Sequence, residues 1–330
     1  MQPHMKYPFG FLAFFALLFN SPQLVAQTEI SFQEHEELGK VHWQRHYETA
    51  LQLAQQENKK VLLLFQEVPG CATCRNYGHQ VLTHPLMVEA IETLFVPLAI
   101  FNNKKGADAK ILSQYGEPAW NNPVVRIIDA DGENLIPRIA GDYSALTLIQ
   151  KMKGVLRESG TPIPAYLDLL ETELAADQSA VAEKYFQMYC FWTGEKELGR
   201  VDGVLRTESG FINNHEVVKV QYDPSLVSDA QLDEIGRHYR FTSVEQKADY
   251  RVATGDVHYY LQQSTFQYLP LTALQQTKIN SALGSRQDPT PYLSPQQLQW
   301  LAALQKDKHK AHSLVFTPFE QAWQQMEKSK

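Results

Sequence analysis

The stretch that decides the fold is KKVLLLFQEVPGCATCRNYGHQVL, Lys59–Leu82. Its first third is a continuous apolar run of strand length, which reads as a strand buried on both faces. Val68-Pro69-Gly70 ends it, and Cys71 and Cys74 follow at the start of a helix-like segment. A CxxC at a strand-to-helix junction has a physical use. The first sulfur sits where unpaired N–H groups and the helix dipole stabilise a thiolate, and the second lies one turn on, within reach to close a disulfide. Zinc would want two further ligands, and the chain has no second CxxC, so no metal is expected. A purely structural disulfide gains little from closing so short a loop. Cys71 and Cys74 therefore read as a redox pair.

Outward from this stretch the elements alternate. HWQRHYETALQLAQQENK (42–59) repeats apolar residues Trp43, Tyr47, Ala50, Leu51 and Ala54 at helical spacing. His42 and His46 lie one turn apart there, but no third ligand is placed beside them. ETLFVPLAIF (92–101) predicts a second buried strand. NNPVVRIIDADGENLI (121–136) predicts a strand, an Asp-Gly turn and a returning strand, and SALTLIQKMKGVLRES (144–159) a closing helix. This order resembles an α/β thioredoxin-like domain, here over residues 27–158. The resemblance implies a cis-proline beside the CxxC, and Pro123 matches it in position. Gly70 departs from the family, where Trp is usual. VPGCATC also resembles a group of thioredoxin-like selenoproteins with VPG before selenocysteine, which implies Cys71 as the attacking sulfur.

Residues 159–180 read as a Gly/Pro/Ser-containing linker and a helix, and residues 181–330 as a second domain. The third and last cysteine, Cys190, lies between Tyr189 and Phe191-Trp192. CFWTGEKELGRVDGVLRTESGF (190–211) and HEVVKVQYDPS (215–225) resemble the A-type peptide methionine sulfoxide reductases over residues 184–251. That resemblance implies an α+β domain with a ferredoxin-like α/β core. It implies Cys190 as the nucleophile toward the sulfoxide sulfur. Phe191 and Trp192 would receive the S-methyl group, and Glu216, assisted by Tyr250, would protonate the departing oxygen. Several positions depart from the pattern. Met188-Tyr189 replace small glycines, the loop between Phe211 and His215 is short, and Glu245 stands for an aspartate. Glu195 reads as support for the helix start and Glu245 as solvated. The segment from residue 258 onward reads as helical in its middle, with a helix start at Ser294-Pro295.

The chain has 330 residues and a net charge of −7, with no basic run, which argues against nucleic acid as a partner. Lys6, the apolar run FGFLAFFALLF (9–19) and the small Ala26 describe a cleaved signal peptide over residues 1–26. The expected location is secreted or periplasmic, with no membrane contact in the mature form and disulfides permitted. No cofactor is implied. The expected partners are oxidised proteins or peptides, carrying methionine sulfoxide or disulfides, and an external thiol reductant. With no second thiol near Cys190 in sequence, the economical scheme has Cys71 and Cys74 recycle oxidised Cys190. Two other readings stay open: a thiol-disulfide oxidoreductase carrying an inactive, client-binding reductase-like module, and a non-catalytic protein with a stable Cys71–Cys74 disulfide.

Overall fold

A computed structural model describes residues 35–120, 123–245, 249–306 and 312–328. The expected signal peptide lies outside these. No helix among the described residues is long and apolar enough to cross a membrane.

The first half runs α1 (Tyr47–Glu57), β1 (Lys60–Gln66), α2 (Ala72–Gln80), α3 (Pro85–Leu94), β2 (Phe95–Phe101), α4 (Ala107–Gln114), β3 (Val124–Ile128), α5 (Ala145–Glu158) and α6 (Ala165–Ala176). The strands form a sheet in the order β2-β1-β3, with β1 parallel to β2 and antiparallel to β3. Parallel pairing of β1 and β2 requires a crossover, and α2 with α3 supplies it. Alternation along β1 splits its apolar residues between two cores. Leu62 and Leu64 pack with α2, α3 and α5, while Val61, Leu63 and Phe65 pack with α1 and α4. A central strand covered by helices on both faces explains why KVLLLFQ is a continuous apolar run rather than an alternating one.

Two expectations need correction. Trp43 precedes α1 instead of lying on it; it is fully buried, and its indole N–H donates to Leu38 O at 2.8 Å. The strand expected after the Asp-Gly turn reduces to isolated bridges, Ile128 to Asn134 and Val125 to Ile139. Asp129 Oδ1 accepts from the N–H groups of Asp131 and Glu133, and Pro137 has no N–H to offer a ladder.

The second half runs β4 (Ala182–Gln187), α7 (Phe191–Gly199), β5 (Val204–Ile212), β6 (His215–Tyr222), α8 (Asp229–Tyr239), β7 (Thr242–Val244), β8 (Arg251–Val252), α9 (Tyr259–Gln262), α10 (Ala273–Gly284), α11 (Pro295–Lys306) and α12 (Phe319–Lys328). Its sheet has the order β7-β4-β6-β5-β8 with every pair antiparallel. From β4 to β7 this is a β-α-β-β-α-β unit in which β6 lies between β4 and β5, the split β-α-β arrangement. Asn213 and Asn214, with φ of 50° and 62°, close the β5–β6 hairpin as a two-residue turn. Ser228 and Gln231 form a capping box at the start of α8.

The C-terminal helices join the two sheets. Leu261, Ile279, Trp300 and Trp323 belong to the same core as Leu86, Ile91, Leu148 and Tyr166 of the first half. On its other side α10 meets α7: Lys278 Nζ donates to Gly199 O at 2.9 Å and Val201 O at 2.7 Å, and Ser281 Oγ to Lys196 O at 2.5 Å. Lys196 and Gly199 lie in the last turn of α7, where carbonyls have no partner within the helix.

Candidate active site

Cys71 is the N-cap residue of α2 and is exposed; Cys74, one turn on, is fully buried. The pair stands as a dithiol with its sulfurs 3.6 Å apart. The backbone N–H of Cys74 leads in lowering the Cys71 pKa below the ordinary thiol value, helped by the Cys74 side chain and by Thr73. Burial pushes Cys74 the opposite way, to about 11. One sulfur is thus accessible and acidified, and its neighbour is shielded and kept protonated. Such an asymmetry suits chemistry in which an exposed thiolate reacts first and a shielded thiol follows.

Polar groups beneath the loop hold it. Gln66, at the end of β1, donates through Nε2 to Cys74 O at 3.1 Å and to Glu37 O at 2.5 Å. Glu37 is itself buried and accepts the Gly70 N–H at 2.6 Å through Oε1, while Arg75 Nη1 donates to Gly70 O at 2.7 Å. Gly70 leaves no room for a side chain: a Cβ would overlap Glu67 O and stand 2.6 Å from Cys74 Cβ. That is the physical reason a large residue cannot occupy this position here. Glu67 was not anticipated as a site residue. Its carboxylate and the two sulfurs all lie within 4.8 Å of one another.

Pro123 is buried and directly precedes β3. Because Phe65 pairs with Val124, Pro123 falls at the Gln66 end of β1, the end from which the CxxC loop departs. The Asn122–Pro123 peptide involves a residue outside the described set, so the expected cis bond there lies outside it too. Val68–Pro69, two residues before Cys71, is cis.

Cys190 is half-buried and is the N-cap residue of α7. Glu216 reaches it from β6: its Oε2 accepts the Phe191 N–H at 2.8 Å. The Glu216 carboxyl therefore lies at the start of the helix that Cys190 caps. Phe191 is buried edge-on against Phe211. Trp192 stacks on Tyr259 with centroids 3.9 Å apart and donates through Nε1 to Asp256 Oδ1 at 3.0 Å. Met188 turns inward beneath α7, where Gly194 makes room for its Sδ, and Tyr189 points fully into solvent.

Tyr250 does not join this group. Along β5, Phe211 packs toward α7, so Gly210 and Ile212 face away from it. Tyr250 lies on that far face with Tyr185, Ile212 and Val217, and its hydroxyl donates to Glu208 Oε1 at 3.1 Å. The sequence carried no information on the face it would occupy. Glu195, expected at the helix start, is instead fully buried, accepting the His258 N–H at 2.8 Å, and burial raises its pKa well above the usual carboxylate range. Glu245 is exposed, as a solvated side chain would be. His42 pairs with Glu92 at 2.8 Å, ahead of α1, and His46 is exposed at the N-cap of that helix.

A family described as thioredoxin-like matches residues 42–130, which hold α1, the CxxC loop and β3. The chain carries a thioredoxin-like domain over that segment. Among solved structures it is similar to a DsbH oxidoreductase, at 20% identity over 36% of this chain and 85% of that one, with a TM-score of 0.31. A thioredoxin from Thermus thermophilus is similar at 21% identity over 35% of this chain and 86% of that one, also with a TM-score of 0.31. No curated protein matches the chain.

Proposed function

We propose that this chain is a thiol-disulfide oxidoreductase in which Cys71 attacks and Cys74 resolves. The observation that carries the reading is the exposed, acidified Cys71 held 3.6 Å from a buried, protonated Cys74. The Cys71 thiolate attacks one sulfur of a substrate disulfide, forming a mixed disulfide and expelling the other sulfur as a thiolate. Cys74 gives up its proton and attacks Cys71 Sγ, releasing the reduced substrate and leaving a Cys71–Cys74 disulfide. An external dithiol returns two electrons to close the cycle. The first test is turnover of a protein disulfide by the mature chain with dithiothreitol. Activity lost in Cys71→Ser and kept in Cys190→Ser supports the proposal; activity indifferent to Cys71 removes it.

A second reading concerns Cys190, and two observations favour it: the Glu216 carboxyl on the first N–H of α7, and the β-α-β-β-α-β order of the surrounding sheet. Both suit a divergent A-type methionine sulfoxide reductase-like domain with a ferredoxin-like core. In that reading Cys190 attacks the sulfoxide sulfur, the oxygen is protonated by Glu216, and methionine leaves a Cys190 sulfenic acid. Cys71 then attacks the sulfenic sulfur with loss of water, and Cys74 resolves the resulting Cys71–Cys190 disulfide. Export behind residues 1–26 would place both steps in an oxidising compartment. Incubation with a methionine sulfoxide peptide separates the alternatives. Loss of the S form alone, abolished by Cys190→Ser, supports the reductase. Binding without turnover leaves a client-binding module.

A further inference from the structure

We infer that the CxxC site is also a binding site for a thiophilic divalent cation, held by Cys71, Cys74 and Glu67. Sequence spacing supplies only the two sulfurs. The fold adds a third donor, because β1 ends at Gln66 and the chain turns at Val68–Pro69 before entering α2 at Cys71. That turn folds Glu67 back over the loop, bringing its carboxylate and both sulfurs within 4.8 Å of one another.

The spacing fits the ion. Two thiolates on a tetrahedral zinc, each at about 2.3 Å, stand about 3.8 Å apart. The sulfurs here are 3.6 Å apart, so capture of the ion needs almost no movement of the backbone. The donor set is two soft thiolates and one carboxylate, which suits zinc or cadmium and disfavours magnesium or calcium. Cys71 is exposed and Glu67 half-exposed, so the ion has a path to the buried Cys74. Three protein ligands leave a fourth position for water or for a thiolate from outside. Binding displaces one proton from each thiol and involves no change in oxidation state. The metal-bound sulfurs cannot then form the mixed disulfide, so occupancy switches off exchange; this last consequence rests on the oxidoreductase reading, whereas binding itself does not.

The test uses the reduced full chain titrated with Cd²⁺ and, separately, Zn²⁺. Cadmium binding is followed by its thiolate charge-transfer absorption, and cysteine accessibility by alkylation and mass spectrometry. The expected result is one ion per chain, with Cys71 and Cys74 protected while Cys190 still reacts. Glu67→Gln should weaken binding by about tenfold or more, and Glu67→Asp should recover part of that loss. Unchanged affinity in Glu67→Gln, protection of Cys190 together with the pair, or one ion shared by two chains would each overturn the inference. Circular dichroism of the variants separates loss of the ligand from loss of the fold. Disulfide exchange is measured in parallel with chelator present. Exchange without metal binding removes this inference alone, and metal binding without exchange removes the oxidoreductase alone.

Discussion

Cys71 and Cys190 occupy the same place in their local structures. Each is the N-cap residue of a nine-residue helix that follows a strand, α2 after β1 and α7 after β4. The surroundings then diverge. Three residues on from Cys71 is Cys74, whereas three on from Cys190 is Thr193, so only the first helix carries its own resolving thiol. At α2 the donors nearest the cysteine act on its sulfur, chiefly the Cys74 N–H. At α7 the first N–H is taken by the Glu216 carboxylate. The same strand-to-helix junction thus builds a self-contained dithiol in one half and, in the other, a lone thiol beside a carboxyl. A helix N-terminus alone does not specify the chemistry; what shares its N–H groups does.

The largest effect should fall on this contrast. Cys71→Ser is expected to reduce disulfide turnover by at least about a hundredfold, the loss typical of removing a covalent nucleophile, while Cys190→Ser leaves it within a factor of about two. Comparable losses in both would merge the two sites into one. Alkylation sharpens the difference within the first site. The thiolate is the reactive form and its fraction rises with pH, so Cys71 should react with a midpoint below 9, in line with its lowered pKa, and Cys74 only toward pH 11. Equal rates for the two at neutral pH would contradict the asymmetry.

The two sites should also differ in tolerance to a single methyl group. Gly70→Ala drives a Cβ into the Glu67 carbonyl and against Cys74 Cβ, groups that cannot move without shifting the loop. A loss of about 1–3 kcal/mol in denaturant unfolding is expected. Gly194→Ala meets the flexible end of Met188 and, at 2.9 Å, Cγ2 of the buried Val218, while alanine is favoured over glycine inside a helix by about 1 kcal/mol, so a smaller net loss than at Gly70 is expected. The smallest effect is reserved for Tyr250→Phe. It removes the bond to Glu208 and should cost about 1 kcal/mol of stability and, on the reductase reading, leave turnover of a methionine sulfoxide peptide unchanged. A selective loss of sulfoxide turnover would return Tyr250 to the site.

Much of the first half was legible because its signals are local. The apolar run of β1, the CxxC at its end, the strand at 95–101 and the helix after Ser144 each follow from pattern and capping. The polar support of the loop was not legible. Glu37 lies 33 residues from the Gly70 it holds, and nothing in either local sequence pairs them. In the second half, Cys190 and Glu216 were singled out through the family resemblance alone, and the structure sets the Glu216 carboxyl on the N–H of Phe191, the residue after Cys190. Tyr250 was misplaced because its side depends on how β5 and β8 pair, and a one-residue change of register reverses a side chain's face. The polar residues of α10 gave no amphipathic pattern, since the helix is covered on several sides: Gln275, Thr277 and Asn280 are as buried as Ile279.

The most direct measurement is a mixed-disulfide trap. Cys74→Ser, incubated reduced with a disulfide-bonded peptide at neutral pH and quenched by alkylation, should accumulate a covalent adduct that mass spectrometry assigns to Cys71, with Cys190 alkylated and adduct-free. An adduct on Cys190, or no adduct on Cys71, would contradict the assignment of Cys71 as the attacking thiol.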